Sequence, residues 1–508
     1  MGMQPAPLVE STSTTPLNDQ LGEVKAELHS IAKRMEEAEV RFDRVLKGVD
    51  PSQQGSARNL LHYLALRSVD IRNLQDALHM LGLSSLASSE SHVRWQMNAV
   101  LQRIGEATPE MPGELDDYFS ALRKRKERAA ELFGTKKNGD IPFIMVTFDT
   151  QLAGDLDTVK NLLYSGMNVA RINCAHDDES VWQAMIWNVQ KASKTTGIPC
   201  KIYMDLAGPK LRTVVHGSKG NKPKLKLKGV HHIILTEEGE AVDGDIPMVY
   251  CSERGIVEQL QEGERVLFDD GAVESLVEKV QGKSVKLRIL RAPARKPAIK
   301  HAKGINFPDS KLSVASLTEY DIQCLPFIVS HADLVGYSFV REAADVAELQ
   351  KRLKVLSAKP PHIILKIETL DAVNNLPALL LQGMKDSSFG VMIARGDLAV
   401  EIGMERMSEI QDEILWICEA AHAPAIWATQ VLETLNKSGL ALRSEVTDAA
   451  RSVMAECVMI NKGTFTIEVV ESLREILKRS GGHRIKKRYL FRPLNIASRF
   501  LSGSLELK

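Results

Sequence analysis

The sequence predicts an α/β protein: a (β/α)8 TIM-type barrel with an inserted small β-barrel lid domain, preceded by an all-α helical domain. Three patterns predict it. From Ile141 onward, short β-branched and apolar runs alternate with segments of helical periodicity, and the alternation completes eight strand–helix units, as a closed barrel demands. Between the third strand and its helix the rhythm pauses over 213–308, where glycines punctuate strand-like runs. Ahead of the barrel, residues 18–135 show helical spacing only.

Composition bounds the rest. At 508 residues the chain is too long for one ordinary core, so several domains are expected. Lys+Arg and Asp+Glu both number 65, which gives the chain no electrostatic preference for nucleic acid or anionic membranes. No apolar run approaches the ~20 residues needed to cross a bilayer. Residues 1–17, rich in Ser, Thr and Pro and without an apolar core or arginines, are expected to be a disordered lead-in, neither secretory signal nor transit peptide. Cys174, Cys200, Cys251, Cys324, Cys418 and Cys457 are scattered with no CxxC, so they are expected to be reduced core thiols of a cytoplasmic protein.

The elements follow in order. Leu21, Val24, Leu28, Ile31, Met35, Ala38, Phe42 and Val45 keep unbroken 3–4 spacing, which predicts one helix over 18–47. It serves either a dimerising coiled coil or an intramolecular bundle. The bundle is preferred because 57–67, 71–81 and 92–103 are helical too, broken by Gly82 and the turn cluster 84–91. His62, His79 and His92 lack Cys, Asp or Glu at metal-ligand spacing and read as packing or surface histidines. The run Arg123-Lys124-Arg125-Lys126-Glu127-Arg128 reads as a solvated helix face.

The barrel is assigned to 136–212 and 309–480. Its strands are expected at 143–148, 168–173, 200–205, 333–338, 362–367, 389–393, 425–428 and 457–461. Its helices are expected at 155–165, 178–195, 317–328, 342–354, 370–382, 408–421, 444–455 and 467–478. The insert, with runs at 224–227, 232–235, 265–268, 273–280 and 285–290, is placed to act as a lid over the barrel mouth. Residues 481–508 form a basic tail containing Lys486-Lys487-Arg488, expected to pack on the helical domain.

Chemistry concentrates where two apolar runs end. Leu365-Lys366-Ile367-Glu368 and Ile393-Ala394-Arg395-Gly396-Asp397 deliver an ammonium and two carboxylates to the C-terminal ends of neighbouring strands, where barrel enzymes do their chemistry. A lysine facing a divalent metal held by Glu368 and Asp397 suits the stabilisation of an enolate or a transferring phosphoryl group. The plainer alternative is a set of strand-end salt bridges.

Further motifs lie in order along the barrel: Asn168-Val169-Ala170-Arg171-Ile172-Asn173, Met204-Asp205-Leu206-Ala207-Gly208-Pro209-Lys210-Leu211-Arg212, Phe268-Asp269-Asp270-Gly271, and Lys303-Gly304-Ile305-Asn306-Phe307-Pro308. Ser338-Phe339-Val340-Arg341 and Ala428-Thr429-Gln430 complete the set. Together these resemble the pyruvate kinase family over roughly 141–478.

The resemblance implies glycolytic phosphoryl transfer between phosphoenolpyruvate and ADP, giving pyruvate and ATP. It implies Mg²⁺ (or Mn²⁺) on Glu368 and Asp397. Lys366 would neutralise charge on the transferring group, Arg171 with Lys303 would clamp phosphate, and Thr429 would assist protonation of the enolate carbon. Ala394, Arg395 and Gly396, through their backbone, and Ser338 would bind the three-carbon substrate. Arg212, Lys303, Thr147 and His176 would meet the nucleotide.

The chain departs from the family pattern in four places. At the monovalent-cation site Asn173 and Asp205 remain, but Ala175 and Leu206 replace the family's Ser and Thr. Lys210 stands where potassium-dependent members carry Glu, so K⁺ is expected not to be required; the bland alternative is a surface lysine. Thr147-Phe148-Asp149-Thr150 replaces Thr-Ile-Gly-Pro and brings a carboxylate towards the phosphates. The loop Asn461-Lys462-Gly463-Thr464-Phe465 is shorter than the family's Gly-Glu-Thr-Ala-Lys-Gly loop. The family's C-terminal regulatory domain is expected to be absent, and its sugar-phosphate effector site with it.

Because two departures touch the nucleotide side, other readings stay open. The fold could serve another phosphoryl acceptor, an oxoacid lyase, or a non-catalytic regulatory relative. Self-association through the barrel or the N-terminal helices is also left open.

Overall fold

The computed structural model describes residues 17–107, 115–136, 141–216, 223–237, 246–481, 493 and 495–502. The lead-in over 1–16 and the basic cluster Lys486-Lys487-Arg488 lie outside the described residues. Among the described residues no helix is long and apolar enough to cross a membrane.

Eight parallel strands close the barrel: β1 (Phe143–Thr147), β2 (Val169–Asn173), β3 (Lys201–Asp205), β4 (Leu334–Tyr337), β5 (His362–Ile367), β6 (Phe389–Ala394), β7 (Ala425–Ala428) and β8 (Cys457–Ile460). Each pairs with its neighbour in sequence, and β1 meets β8 with Phe143 opposite Cys457. The strands are covered on both faces, which is why they read as nearly continuous apolar runs.

Inside the barrel, Met145, Val169, Tyr203, Leu334, Ile364, Met392, Ile426 and Met459 share one core with Leu132 and Phe133. The last two come from the end of a helix before β1, so a helical residue pair plugs the barrel's N-terminal mouth. Polar side chains then take over towards the C-terminal ends of the strands.

The insert is a separate body of packing. Its seven-stranded sheet runs in the order Ile305–Asn306, Arg265–Phe268, Val273–Gln281, Ser284–Arg291, His232–Glu237, Met248–Cys251, Thr213–Val214. A two-stranded ribbon, Lys224–Lys226 with Ala298–Lys300, completes it. The sheet's two end strands meet through an antiparallel bridge between Arg212 and Gly304, with the Ile305 N–H donating to the Leu211 carbonyl at 2.9 Å and the Thr213 N–H to that of Lys303 at 2.7 Å, so the sheet closes on itself as the small barrel expected from the sequence. Val266, Phe268, Val277, Val285 and Leu287 belong to its own core.

The N-terminal region contains α1 (Leu17–Arg41), α2 (Asp43–Gly48), α3 (Gln54–Arg67), α4 (Arg72–Met80), α5 (Val93–Arg103) and α6 (Tyr118–Phe133). The single helix expected over 18–47 breaks at Phe42, whose ring stacks 5.0 Å from Phe500 of the C-terminal helix Asn495–Ser502. Val24, Leu28, Ile31, Met35 and Ala38 are buried within the chain, so the apolar seam faces the bundle and is not free for a coiled-coil partner. The helix expected over 370–382 is also divided, into Leu370–Asn374 and Leu376–Gly383, with Pro377 in the first turn of the second piece.

The basic run 123–128 departs further from expectation. It lies on α6, but Arg125 is mostly buried and pairs with Glu419 and with Glu456, the latter at 2.7 Å. Arg128 is buried and donates to the carbonyls of Ala421, His422 and Ser52. Alternating charge in a sequence cannot show that a barrel helix will cover it.

His422 fastens the two regions from the barrel side. Its Nε2 lies 2.8 Å from the Ser91 carbonyl and its Nδ1 2.9 Å from the Ser56 hydroxyl. A carbonyl only accepts, so Nε2 carries the proton, and Nδ1 accepts from Ser56 in a neutral ring. Burial, with Lys124 and Arg128 nearby, pushes its pKa down to about 3.

The depressed value fixes the sign of a pH effect. An unfolded histidine titrates near about 6.5, so the neutral-ring contribution is complete above that pH and is lost as pH falls towards the folded value. Wild type is expected to lose stability over this window at up to about 1.4 kcal/mol per pH unit from this group. Denaturation midpoints of wild type and His422→Gln from pH 7 to pH 4 check it; parallel curves would remove His422 as the cause.

Candidate active site

Lys366 is the centre of the barrel mouth. Its Nζ lies 2.6 Å from Ser338 Oγ, 3.1 Å from Asp205 Oδ2 and 3.1 Å from Glu368 Oε1. Burial disfavours its charge, but Asp205 and Glu368 outweigh burial and hold its pKa above the ordinary lysine value.

Asp205 is buried too, and it bridges β2, β3 and β5. Its Oδ2 accepts from Arg171 Nη2 at 2.5 Å and Nε at 3.1 Å, besides Lys366. Burial pushes this carboxyl up, yet Lys366 and Arg171 bring it below the usual range. Arg171 also donates to Thr147 Oγ1 at 3.0 Å, so its guanidinium is held from two sides.

Glu368 stands at the end of β5. Its Oε2 accepts the backbone N–H of Phe339 at 2.6 Å, and Phe339 adopts a positive φ of 54°. Burial raises the Glu368 pKa, Lys366 opposes that, and the charges of Asp397 and Asp205 raise it again. The mutual repulsion of Glu368 and Asp397 is what a divalent cation would relieve. Among the described residues no group of three or more acidic, His or Cys side chains forms a larger metal cage. A two-carboxylate set fits Mg²⁺, which keeps several waters and needs few protein ligands.

Asp397 has a partner that single-site reasoning did not anticipate. Lys210 Nζ lies 2.6 Å from its Oδ1. Lys210 therefore points into the charged mouth and is not a surface lysine. Its cation-site companions are engaged elsewhere: Asp205 with Arg171 and Lys366, and Asn173 Oδ1 with the Ala175 N–H at 3.1 Å. The Leu206 carbonyl accepts from Ser338 Oγ at 2.6 Å.

The turn after β7 is held under strain. Thr429 has φ +65° and Gln430 φ +56°, a region that costs a β-branched residue most. Arg395 supplies the restraint: Nε donates to the Ala428 carbonyl at 3.0 Å and Nη2 to that of Thr429 at 2.6 Å. The guanidinium also pairs with Asp448 and lies 4.5 Å from the Trp427 ring centroid. The Arg395 side chain is thus a clamp, and only its backbone is left for substrate. Thr429 Oγ1 in turn accepts the Gly396 N–H at 2.8 Å.

Beside this centre is a cavity of about 420 Å³, lined among others by Thr147, Arg171, Asn173, His176, Lys437 and Lys462. Burial, then Lys462 and Arg212, lower the His176 pKa below the ordinary histidine value. Lys437 and Lys462 were not singled out from the sequence. Lys462 could have been found, since it stands two residues past the end of β8; Lys437 could not, because helix Glu433–Ser438 only reaches the cavity through the fold. Asp149 caps its own turn, accepting from the Gln151 N–H at 3.0 Å, and is not among the cavity-lining residues. Lys303 pairs with Asp269 at 2.7 Å, within the insert, and Arg212 donates to the Ala302 carbonyl at 3.1 Å.

Fold and site together define a (β/α)8 barrel protein with a lysine–carboxylate centre at its C-terminal mouth. Residues 144–470 match the family model described as pyruvate kinase, barrel domain. The pyruvate kinase of Staphylococcus saprophyticus is 30% identical over 327 residues, 63% of this chain and 54% of that protein. That of Trypanoplasma borreli is 31% identical over 328 residues, covering 63% of each. A crystal structure of a pyruvate kinase from Cryptosporidium parvum superposes with a TM-score of 0.60 at 25% identity, over 69% of this chain and 72% of that one. The chain belongs to the pyruvate kinase family. It spans between about half and under two thirds of the length of these curated relatives.

Arg395→Lys tests the clamp on the strained turn. A lysine keeps the charge but cannot hold two carbonyls and a carboxylate together. The variant is expected to lose about 2–3 kcal/mol of stability in a denaturant melt; a loss within experimental error would show that the turn holds itself.

Proposed function

We propose that this protein is a Mg²⁺-dependent phosphotransferase of the pyruvate kinase type, moving a phosphoryl group between phosphoenolpyruvate and ADP to give pyruvate and ATP. The observation that carries the proposal is the buried Lys366, set between Asp205 and Glu368 beside a cavity that Arg171 and Lys462 line.

Glu368 and Asp397 would hold the Mg²⁺ (or Mn²⁺). Bound there, the metal would supply Lewis-acid stabilisation to enolate and phosphoryl oxygens. The remaining work falls to side chains. Lys366, kept protonated by two carboxylates, presents a fixed positive charge where negative charge grows during transfer. Arg171, braced by Asp205 and Thr147, orients the phosphoryl group. Thr429, on its strained turn, sits within reach of the helix Arg395–Ile402 that would receive the substrate carboxylate. Arg171 and Lys462, with Lys437 paired to Glu433, bring positive charge to the cavity for nucleotide phosphates, and Asp149 faces its own backbone instead. The inserted domain, through Lys303 and Arg212 at its hinge, would close the site against water.

Lys210 bears on the monovalent cation. An ammonium already present beside Asp397 supplies charge at the mouth, and the Asp205 and Leu206 oxygens that could bind K⁺ have protein donors. Activity is therefore proposed to be independent of K⁺.

The deciding assay is pyruvate release from phosphoenolpyruvate and Mg²⁺, with and without ADP, in potassium-free buffer and again with K⁺. ADP-dependent turnover is expected; its absence, with phosphoenolpyruvate still bound, would point to a different acceptor. Lys366→Met is expected to lower kcat by about 10²–10³-fold or more, the scale of a lost oxyanion donor, and a smaller loss would remove it from the chemistry. Lys210→Glu is expected to make turnover rise with added K⁺; indifference to K⁺ in that variant would show that Lys210 does not act for the cation.

A further inference from the structure

One polar group in the barrel interior has no part in the reaction as outlined. Tyr203 is fully buried among Met145, Val169, Leu334 and Ile364, in a layer otherwise apolar. Its hydroxyl lies 2.9 Å from Asp205 Oδ1. The other oxygen, Oδ2, carries Arg171 and Lys366, so each carboxylate oxygen has its own set of donors.

Room for this contact comes from the neighbouring strand. Gly336 of β4 lies directly opposite Asp205 in the β3–β4 register. A Cβ there would fall 1.9 Å from the Tyr203 hydroxyl oxygen and 2.1 Å from Asp205 Oδ1. No side chain of any kind fits at 336 while the hydroxyl–carboxylate contact exists. Gly336 does not have a positive φ, so backbone freedom does not explain it; the space does.

We infer that Tyr203 is a positioning residue for the phosphate-binding arginine. Its hydroxyl fixes the rotation of the Asp205 carboxylate from below, and that carboxylate in turn aims Arg171 at the cavity above. A buried carboxylate with an unpaired Oδ1 would turn to share its donors over both oxygens, and the guanidinium resting on Oδ2 would turn with it. Burial and the Asp205 charge hold the phenol far above its ordinary pKa, so it stays a donor at any working pH.

The ligand side of this inference rests on the proposed phosphoenolpyruvate reading, and its test separates the two. Tyr203→Phe keeps the ring and removes only the donor. In the presence of Mg²⁺, phosphoenolpyruvate is expected to bind the variant about tenfold more weakly, the size of one lost hydrogen bond to a charged group. Oxalate, a dicarboxylate with no phosphoryl group, is expected to bind within twofold of wild type by the same calorimetric titration. Equal losses for both ligands, or no loss for either, would overturn the inference, since a packing defect would not distinguish them.

A crystal structure of the ligand-free variant reads the same point without any substrate. It is expected to show Asp205 rotated and Arg171 displaced from its place between Asp205 and Thr147. An unchanged arrangement there sinks the inference whether or not phosphoenolpyruvate is the substrate. Failure of wild type to bind phosphoenolpyruvate, with the Asp205 rotation observed, would sink only the substrate reading.

Discussion

Everything at the barrel mouth depends on one balance of buried charge. Arg171 and Lys366 stand against Asp205 and Glu368, all four largely buried. Bringing such groups into a protein interior costs several kcal/mol for each ion, and their mutual attraction repays it only with good geometry and further hydrogen bonds. Thr147, Ser338, Tyr203 and the Phe339 amide supply those bonds. Buried ion pairs of this kind often contribute no more to stability than an apolar set of equal volume. The charges are therefore explained by chemistry, and they bring constraints elsewhere: a positive φ at Phe339, a glycine at 336 and an arginine clamp behind Thr429.

The same balance explains why Lys210 matters. Asp397 is the more exposed of the two candidate metal ligands, and without a cation its charge would face Glu368 unopposed. Lys210 answers it from the segment that leads into the inserted domain. The entrance to that domain and the metal-side carboxylate are thus joined by a single ion pair, so a shift in one is felt by the other.

Much of this was legible in the sequence because barrels advertise themselves. Strands buried on both faces leave apolar runs, and their ends are marked by the abrupt arrival of Lys366, Glu368 and Arg395–Asp397. What was not legible depends on tertiary placement. Arg125 and Arg128 look solvent-facing in a basic run, and only docking on the barrel shows that they are buried. The break at Phe42 has no proline or glycine to announce it, and the ring that stacks on Phe42 comes from Phe500, far along the chain. The Tyr203 hydroxyl and the space at Gly336 belong to different strands, and neither means anything until register places them side by side.

Leu132 and Phe133, which stop the lower mouth of the barrel, come from a helix that leaves the ribosome before any barrel strand. The strand that closes the ring, β8, is the last of the eight to be made, and it must find β1 across the whole length of the domain. Contacts so distant in sequence are slow to form. Until they do, the stopper has nothing to fill, and its two apolar side chains stand at the end of a helix whose Arg125 takes its partners from the late-made side of the ring, Glu419 and Glu456. The N-terminal helices are therefore more than an attached module: the barrel's lower end is finished by residues translated before any of its strands.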